Sequence, residues 1–130
     1  MATAREIITG ALRHLMVVDS HQSPNSNDLD AGLQALNDMM FGWAALGVDV
    51  NHYALELSSP FPLDDKHVRG AKALLAVDLA PTFGLQGVTP HVQQMAEDGW
   101  QGISAEYLSP EDVAIDDALL SIPSNRIFGT

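Results

Sequence analysis

Asp28-Leu29-Asp30-Ala31-Gly32-Leu33-Gln34-Ala35-Leu36-Asn37-Asp38-Met39-Met40-Phe41-Gly42-Trp43-Ala44-Ala45-Leu46-Gly47 is the stretch that decides the fold. Leu29, Gly32, Leu33, Leu36, Met39, Met40, Trp43 and Leu46 recur at helical spacing and form one apolar stripe. The stretch predicts a helix from about Asp28 to Leu46, capped by Ser26 or Asn27. At 1.5 Å per residue it spans roughly 28 Å. Gly47 stands where a left-handed residue stops such a helix. A stripe this long needs other helices to cover it.

Those partners can be read on both sides. Upstream, Thr3 and Glu6 have the spacing of a capping box. Ile7, Ile8, Ala11, Leu12 and Leu15 then give a first helix ending near Leu15 or Met16. Residues 17–27 are rich in polar turn formers and predict a loop. Downstream, Val48 to Leu57 alternates partially, which predicts one or two short extended segments. Pro60 and Pro62 exclude helix around Phe61. A third helix is expected from Asp64 or Asp65 to about Ala80, with Val68, Ala71, Leu74, Leu75 and Leu79 inward and Pro81 after it. Gly84 to Gly87 predicts a turn. Thr89 then caps a fourth helix with Pro90 at its first position, a preferred site for proline. Val92, Met95, Ala96, Gly99 and Ile103 form its inner face, and it frays near Tyr107.

After Pro110 the composition changes. Glu111, Asp112, Asp116 and Asp117 crowd one short acidic stretch. Ile122, Ile127 and Phe128 then stand in an otherwise polar context. An apolar end of this kind predicts a partner that ties it down. The reading is therefore mainly α. Residues 1–108 form a compact four-helix core with a short extended or β excursion between helices 2 and 3. Residues 109–130 form an extended C-terminal arm.

The composition narrows the function. The chain has 130 residues, enough for one domain that buries a core without a staple. It has no cysteine, which removes disulfides, thiolate metal sites and cysteine nucleophiles. The hydrophobic fraction of 46% argues against disorder. The charged fraction of 18% falls below the usual quarter, so part of the surface is expected to be covered by a partner. The formal charge of −11 argues against gripping nucleic acid and favours protein partners, or a surface that DNA passes without sticking. No run of about 18 apolar residues suggests a membrane span. Nothing after Met1 reads as a signal peptide.

Motifs for chemistry are weak. His14, His21, His52, His67 and His91 show no metal-site spacing and read as scattered surface histidines. Asp64-Asp65, Glu97-Asp98 and Asp116-Asp117 are adjacent carboxylates. Neighbours in sequence point apart on a helix, so caps and solvated faces explain them better than acid–base catalysis. No phosphate-binding glycine loop or nucleophile elbow is present. No cofactor, metal site or catalytic residue is expected. Lys66, Arg69 and Lys72 are spaced by three on the third helix and read as one basic stripe. It either pairs with local acids or contacts a neighbouring subunit. Met39, Met40 and Trp43 read as core. Trp100, between Gly99 and Gln101, reads as an interface anchor or a half-buried core residue.

The run Ala11-Leu12-Arg13-His14-Leu15, a polar loop, and then Asp30 to Gly47 with Met39-Met40 and Trp43 resembles the head-to-tail adaptors of tailed bacteriophages. It is most similar to the tail accessory factors of short-tailed phages. Their pattern is a short A-L-R-x-L helix followed by a long helix ending L-x-x-M-M-x-x-W and a glycine turn. The similarity covers roughly residues 3–105, and the third helix with Pro81 after it fits as well. The last ten residues do not match the family's tails.

The resemblance implies a structural virion protein of the neck, assembled in the host cytoplasm and without enzymatic activity. About twelve copies would form a ring (a dodecamer) under the portal protein, extend the DNA channel, and give tail or nozzle proteins a platform. DNA would pass the lumen unbound, and no membrane is involved. The C-terminal arm, with Ile122, Pro123, Arg126, Ile127 and Phe128, would bind the portal. Lys66, Arg69, Lys72 and Trp100 would lie between subunits. Twelve copies at −11 would carry about −130, an acidic wall along which DNA can slide. The connectors of long-tailed phages share the architecture. The same residues also fit a small cytosolic helical regulatory or antitoxin-like protein-binding module. A hydrolase would need acids converging from different helices, which no spacing here suggests.

Overall fold

The computed structural model describes residues 2–19, 21–50 and 52–108. Four α-helices follow in chain order: α1 (Ala4–His14), α2 (Ser26–Ala45), α3 (Val68–Leu79) and α4 (Pro90–Tyr107). The C-terminal arm expected over residues 109–130 lies outside the described residues.

Local chemistry sets the boundaries. Thr3 Oγ1 accepts from the Glu6 amide at 3.3 Å and starts α1. Thr89 Oγ1 accepts from the Val92 amide at 3.3 Å and starts α4, with Pro90 at its first position. The cap of α2 is Asn25, ahead of the expected Ser26 or Asn27. Its Oδ1 accepts from the Asp28 amide at 2.8 Å, and its carbonyl accepts from the Leu29 amide at 3.0 Å. Asn25 and Asn27 are equally suited to capping, so local preference does not choose between them.

Both α1 and α2 end in the same 6→1, 5→2 bond pattern, in which the two amides after the helix bond back to its last carbonyls. At the end of α2, Val48 N–H reaches Trp43 O and Gly47 N–H reaches Ala44 O, with Gly47 at φ 84°. At the end of α1, Val17 N–H reaches Leu12 O and Met16 N–H reaches Arg13 O. There the left-handed position, φ 60°, is held by Met16, which is 86% exposed. A side chain in this conformation costs about 1–2 kcal/mol. Met16→Gly should therefore raise stability by about 1 kcal/mol, read as a higher denaturation midpoint. An unchanged or lower midpoint would contradict this account of the turn.

The third helix is less uniform than its periodicity suggests. A 3-10 turn at Asp65–His67 leads into α3, and a second at Ala80–Phe83 carries the chain past Pro81 to Gly84. Proline removes a donor but tolerates the first turn of a new helical segment, so α3 gives way to the tighter turn instead of stopping.

α3 is the central helix and packs on α4, α1 and α2. Ile7, Ile8, Leu12, Leu36, Met40, Leu75, Leu79 and Ile103 make the core between them. α3 and α4 approach at Gly70 and Gly99, where a Cβ on Gly70 would lie 2.6 Å from Gly99 Cα. Gly32 of α2 sits under Ile8 of α1 in a similar way.

The expected extended excursion is present, but no strand forms among the described residues. Isolated bridges pair Thr3 with Pro60 and Val48 with Leu108. Its backbone groups find other partners. Ser59 O and Leu57 O accept from the Ala4 and Arg5 amides at 2.9 and 3.0 Å, satisfying two of the free donors at the start of α1. Phe61 N–H donates to Ala2 O at 2.8 Å, and the Phe61 ring is buried in the core. Asn37, midway along α2, serves as a surrogate strand. Its Oδ1 accepts from Leu55 N–H at 2.8 Å, and its Nδ2 donates to Leu55 O at 3.1 Å.

Candidate functional site

The apolar stripe of α2 is wider than its neighbours cover. Leu29, Leu36, Met40 and Trp43 are buried, while Met39 is half-buried and Leu46, expected on the inner face, is 66% exposed. Leu46 is the C-cap and projects beyond the helix into solvent. These uncovered positions form the floor of a groove of about 540 Å³ between α2, α3 and α4. Met39, Trp43 and Leu46 come from α2 and its cap, Leu74 and Val77 from α3, and Ala96 and Trp100 from α4. The two indoles tilt against each other with ring centres 5.8 Å apart.

The rim of the groove is acidic. Asp38, Asp78 and Glu97 stand on it, one from each helix. Gln93 Nε2 donates to Glu97 Oε2 at 3.2 Å. Among the described residues, no cation lies within ion-pair reach of these three carboxylates. Desolvation by the groove walls raises the Asp78 carboxyl above its ordinary range. Three aliphatic or aromatic walls under three carboxylates can accept an apolar segment that carries positive charge.

Trp100 is half-buried in this groove, tilted against the buried Trp43. The three basic residues do not share one face. Lys66 belongs to the 3-10 turn, not to α3, and its Nζ lies 2.6 Å from Glu106 Oε1 of α4. Arg69 Nε donates to Met95 Sδ at 3.2 Å, also toward α4. The stem of Lys72 lies over Gly10 of α1. A step of three falls about 60° short of a full turn on an α-helix, so the direction drifts along the run, from α4 at Lys66 and Arg69 to α1 at Lys72. Ile122, Pro123, Arg126, Ile127 and Phe128 lie outside the described residues.

The reading of all five histidines as surface residues is overturned for His67, which is 7% exposed. Its ring packs edge-on against Tyr107 at 5.7 Å, and Nε2 is 3.3 Å from Glu106 Oε1 but off the hydrogen-bond line. His14 and His52 are half-buried. His52 Nε2 lies 3.1 Å from Asn37 Oδ1, which accepts, so Nε2 carries the proton. Phe41 meets the His52 ring edge-on at 4.4 Å. Burial lowers the affinity of both His14 and His52 for a proton, and Lys72, His91 and Arg69 add repulsion at His14.

That shift sets a pH dependence. The unfolded chain takes up these two protons near pH 6.5, while the folded chain resists them until lower pH. Stability should therefore be full above pH 6.5 and should fall as the solution is acidified from there through the lowered folded values. The His14→Gln, His52→Gln double variant should lose much of that slope between about pH 7 and 5.5 in denaturant titrations. A slope equal to the parent's would mean that other groups carry it.

Among the described residues, no three His, Asp or Glu side chains are grouped to hold a metal ion. No described helix is long and apolar enough to cross a membrane. The chain matches no protein-family model and no curated protein.

Sequence reasoning named Trp43 and Trp100 separately, the first as core and the second as an interface anchor or a half-buried core residue. It missed the groove that unites them and the carboxylates around it. A signal was present in the eight-residue stripe of α2, too long for the short α1 and α3 to cover.

Proposed function

We propose that this chain is a non-catalytic structural subunit that docks on other proteins, and that it acts as a head-to-tail adaptor in the virion neck of a tailed bacteriophage. The observation that carries the docking role is the uncovered apolar groove with Trp100 in its wall. Tryptophan in a concave apolar site is a typical anchor point for protein partners. The adaptor reading is further supported by the ordered run of Ala11-Leu12-Arg13-His14-Leu15, a polar loop, and the long helix carrying Met39-Met40 and Trp43 stopped at Gly47. A charge of −11 suits a channel wall past which DNA slides.

In this role the subunit stays monomeric until it meets the portal protein. Contact with the portal then assembles a ring of about twelve copies, held by contacts between neighbours and by the arm at 109–130. Tail or nozzle proteins attach below.

The test is to mix the purified protein with the portal of the same phage and measure the mass of the product. The expected result is a closed ring that forms only with portal. Deletion of residues 119–130 should leave a folded monomer that no longer binds it. Wild-type affinity after that deletion would remove the arm from the mechanism. A stable dimer indifferent to portal would replace the adaptor with a small regulatory protein-binding module.

A further inference from the structure

The groove between α2, α3 and α4 presents an apolar floor under three carboxylates that have no cation partner among the described residues. The described chain ends beside it. Leu108 is bridged to Val48, and the Asp49 amide donates to Tyr107 O at 3.0 Å. Val48 is two residues beyond Leu46, which forms one wall of the groove. The last described residue, Leu108, is therefore held two residues from the groove lining at Leu46 through its bridge to Val48.

The sequence that follows complements the groove. Ile122, Ile127 and Phe128 offer three large apolar side chains, and Arg126 is the single Lys or Arg between 109 and 130. The other five cations of the chain lie at Arg5, Arg13, Lys66, Arg69 and Lys72, and none of them lines the groove. Glu111, Asp112, Asp116 and Asp117 carry the same sign as the rim, so charge favours the Arg-bearing segment over the intervening stretch as its occupant. Reach is ample. Residues 109–121 can span up to about 43 Å at 3.3 Å each, against roughly 30 Å for α2, the longest helix described.

We propose that this chain's own segment Ile122–Phe128 occupies the groove of the same molecule, with Ile127 and Phe128 against Met39, Leu46 and Trp100 and Arg126 on the carboxylate rim. Tethering makes the contact intramolecular. A short tether supplies an effective concentration on the order of millimolar, far above that of a second copy in dilute solution. The contact does not depend on the adaptor reading. In an adaptor it is the resting state that a portal must displace.

The two tryptophans of the chain, Trp43 and Trp100, both line the groove, so intrinsic emission reports its occupancy. In the full-length protein, the Ile127→Asp, Phe128→Asp double variant should shift tryptophan emission to the red and increase its quenching by acrylamide, with the helical circular dichroism unchanged. Arg126→Glu should move emission in the same direction, and Arg126→Lys should restore it. The position is checked with the photo-reactive residue p-benzoylphenylalanine at 128 of the full chain. Irradiation of a mixture of heavy- and light-isotope protein should give crosslinks to Met39, Leu46 or Trp100 within one chain. Emission and quenching unchanged in the double variant would overturn the proposal. So would crosslinks to another surface, or crosslinks joining heavy to light chains.

Discussion

Valine in place of Gly99 should cost about 3 kcal/mol, the upper part of the range for forcing extra atoms into a packed site. A Cβ there would stand 2.5 Å from Gly70 Cα and 3.1 Å from Gly70 C. Backbone cannot rotate aside as a side chain does, so α3 and α4 must separate. α3 is the central helix, and the separation loosens its contacts with the core around Leu75, Leu79 and Ile103. For a chain of this size the melting temperature should fall by about 10 °C or more. Gly102→Ala is the control on the same helix. Its Cβ would meet only His67 Cε1, at 3.9 Å, an ordinary contact. That substitution should stabilise α4 by about 0.5–1 kcal/mol through helix propensity. Equal melting of Gly99→Val and the parent would mean that the two helices do not cross at this glycine pair.

Asn37→Ala should cost roughly 2–4 kcal/mol, because one truncation leaves several polar groups without partners. Leu55 loses a partner for its amide and for its carbonyl, and the His52 Nε2–H loses its acceptor. The three bonds are only part-buried, so solvent admitted by the truncation should keep the loss below the sum of three fully buried orphans. Asn37→Asp separates the contributions. It retains the acceptor for Leu55 N–H and His52 but cannot donate to Leu55 O. Its carboxylate should also reverse the lowered proton affinity of His52, giving an intermediate stability that recovers as His52 becomes protonated. Amide exchange at Leu55 checks the site directly. Full protection of that amide in Asn37→Ala would show that the carboxamide does not hold the excursion.

These two positions show where sequence reading stops. Thr3, Thr89 with Pro90, and Gly47 announce helix ends because the groups they satisfy lie within a few residues of them. The four helices follow from those signals and from apolar spacing. Asn37 reads as one more polar residue on the outer side of a stripe, since the backbone it serves lies 18 residues further on. Gly70 and Gly99 sit in different helices, and nothing in either neighbourhood states that the two backbones meet. Burial of His67 likewise depends on Tyr107 and Gly102, reached only when α4 lies across the 3-10 turn. The groove was legible only as an excess. The low charge and the long stripe of α2 imply apolar surface left over, but its location between α2, α3 and α4 is a property of their packing.

The tie between the start of α1 and the excursion governs when the protein can become itself. α1 packs chiefly on α3 rather than on α2, its neighbour in the chain. Its first amides bond to Leu57 and Ser59. After His14 is made, roughly 65 further residues must follow before Leu79 completes α3. At synthesis speeds of about 5–20 residues per second, α1 waits some 3–13 s on the ribosome without the helix it chiefly packs on. That interval is long enough for a chaperone to find it, and a slow codon run between positions 15 and 79 would lengthen it.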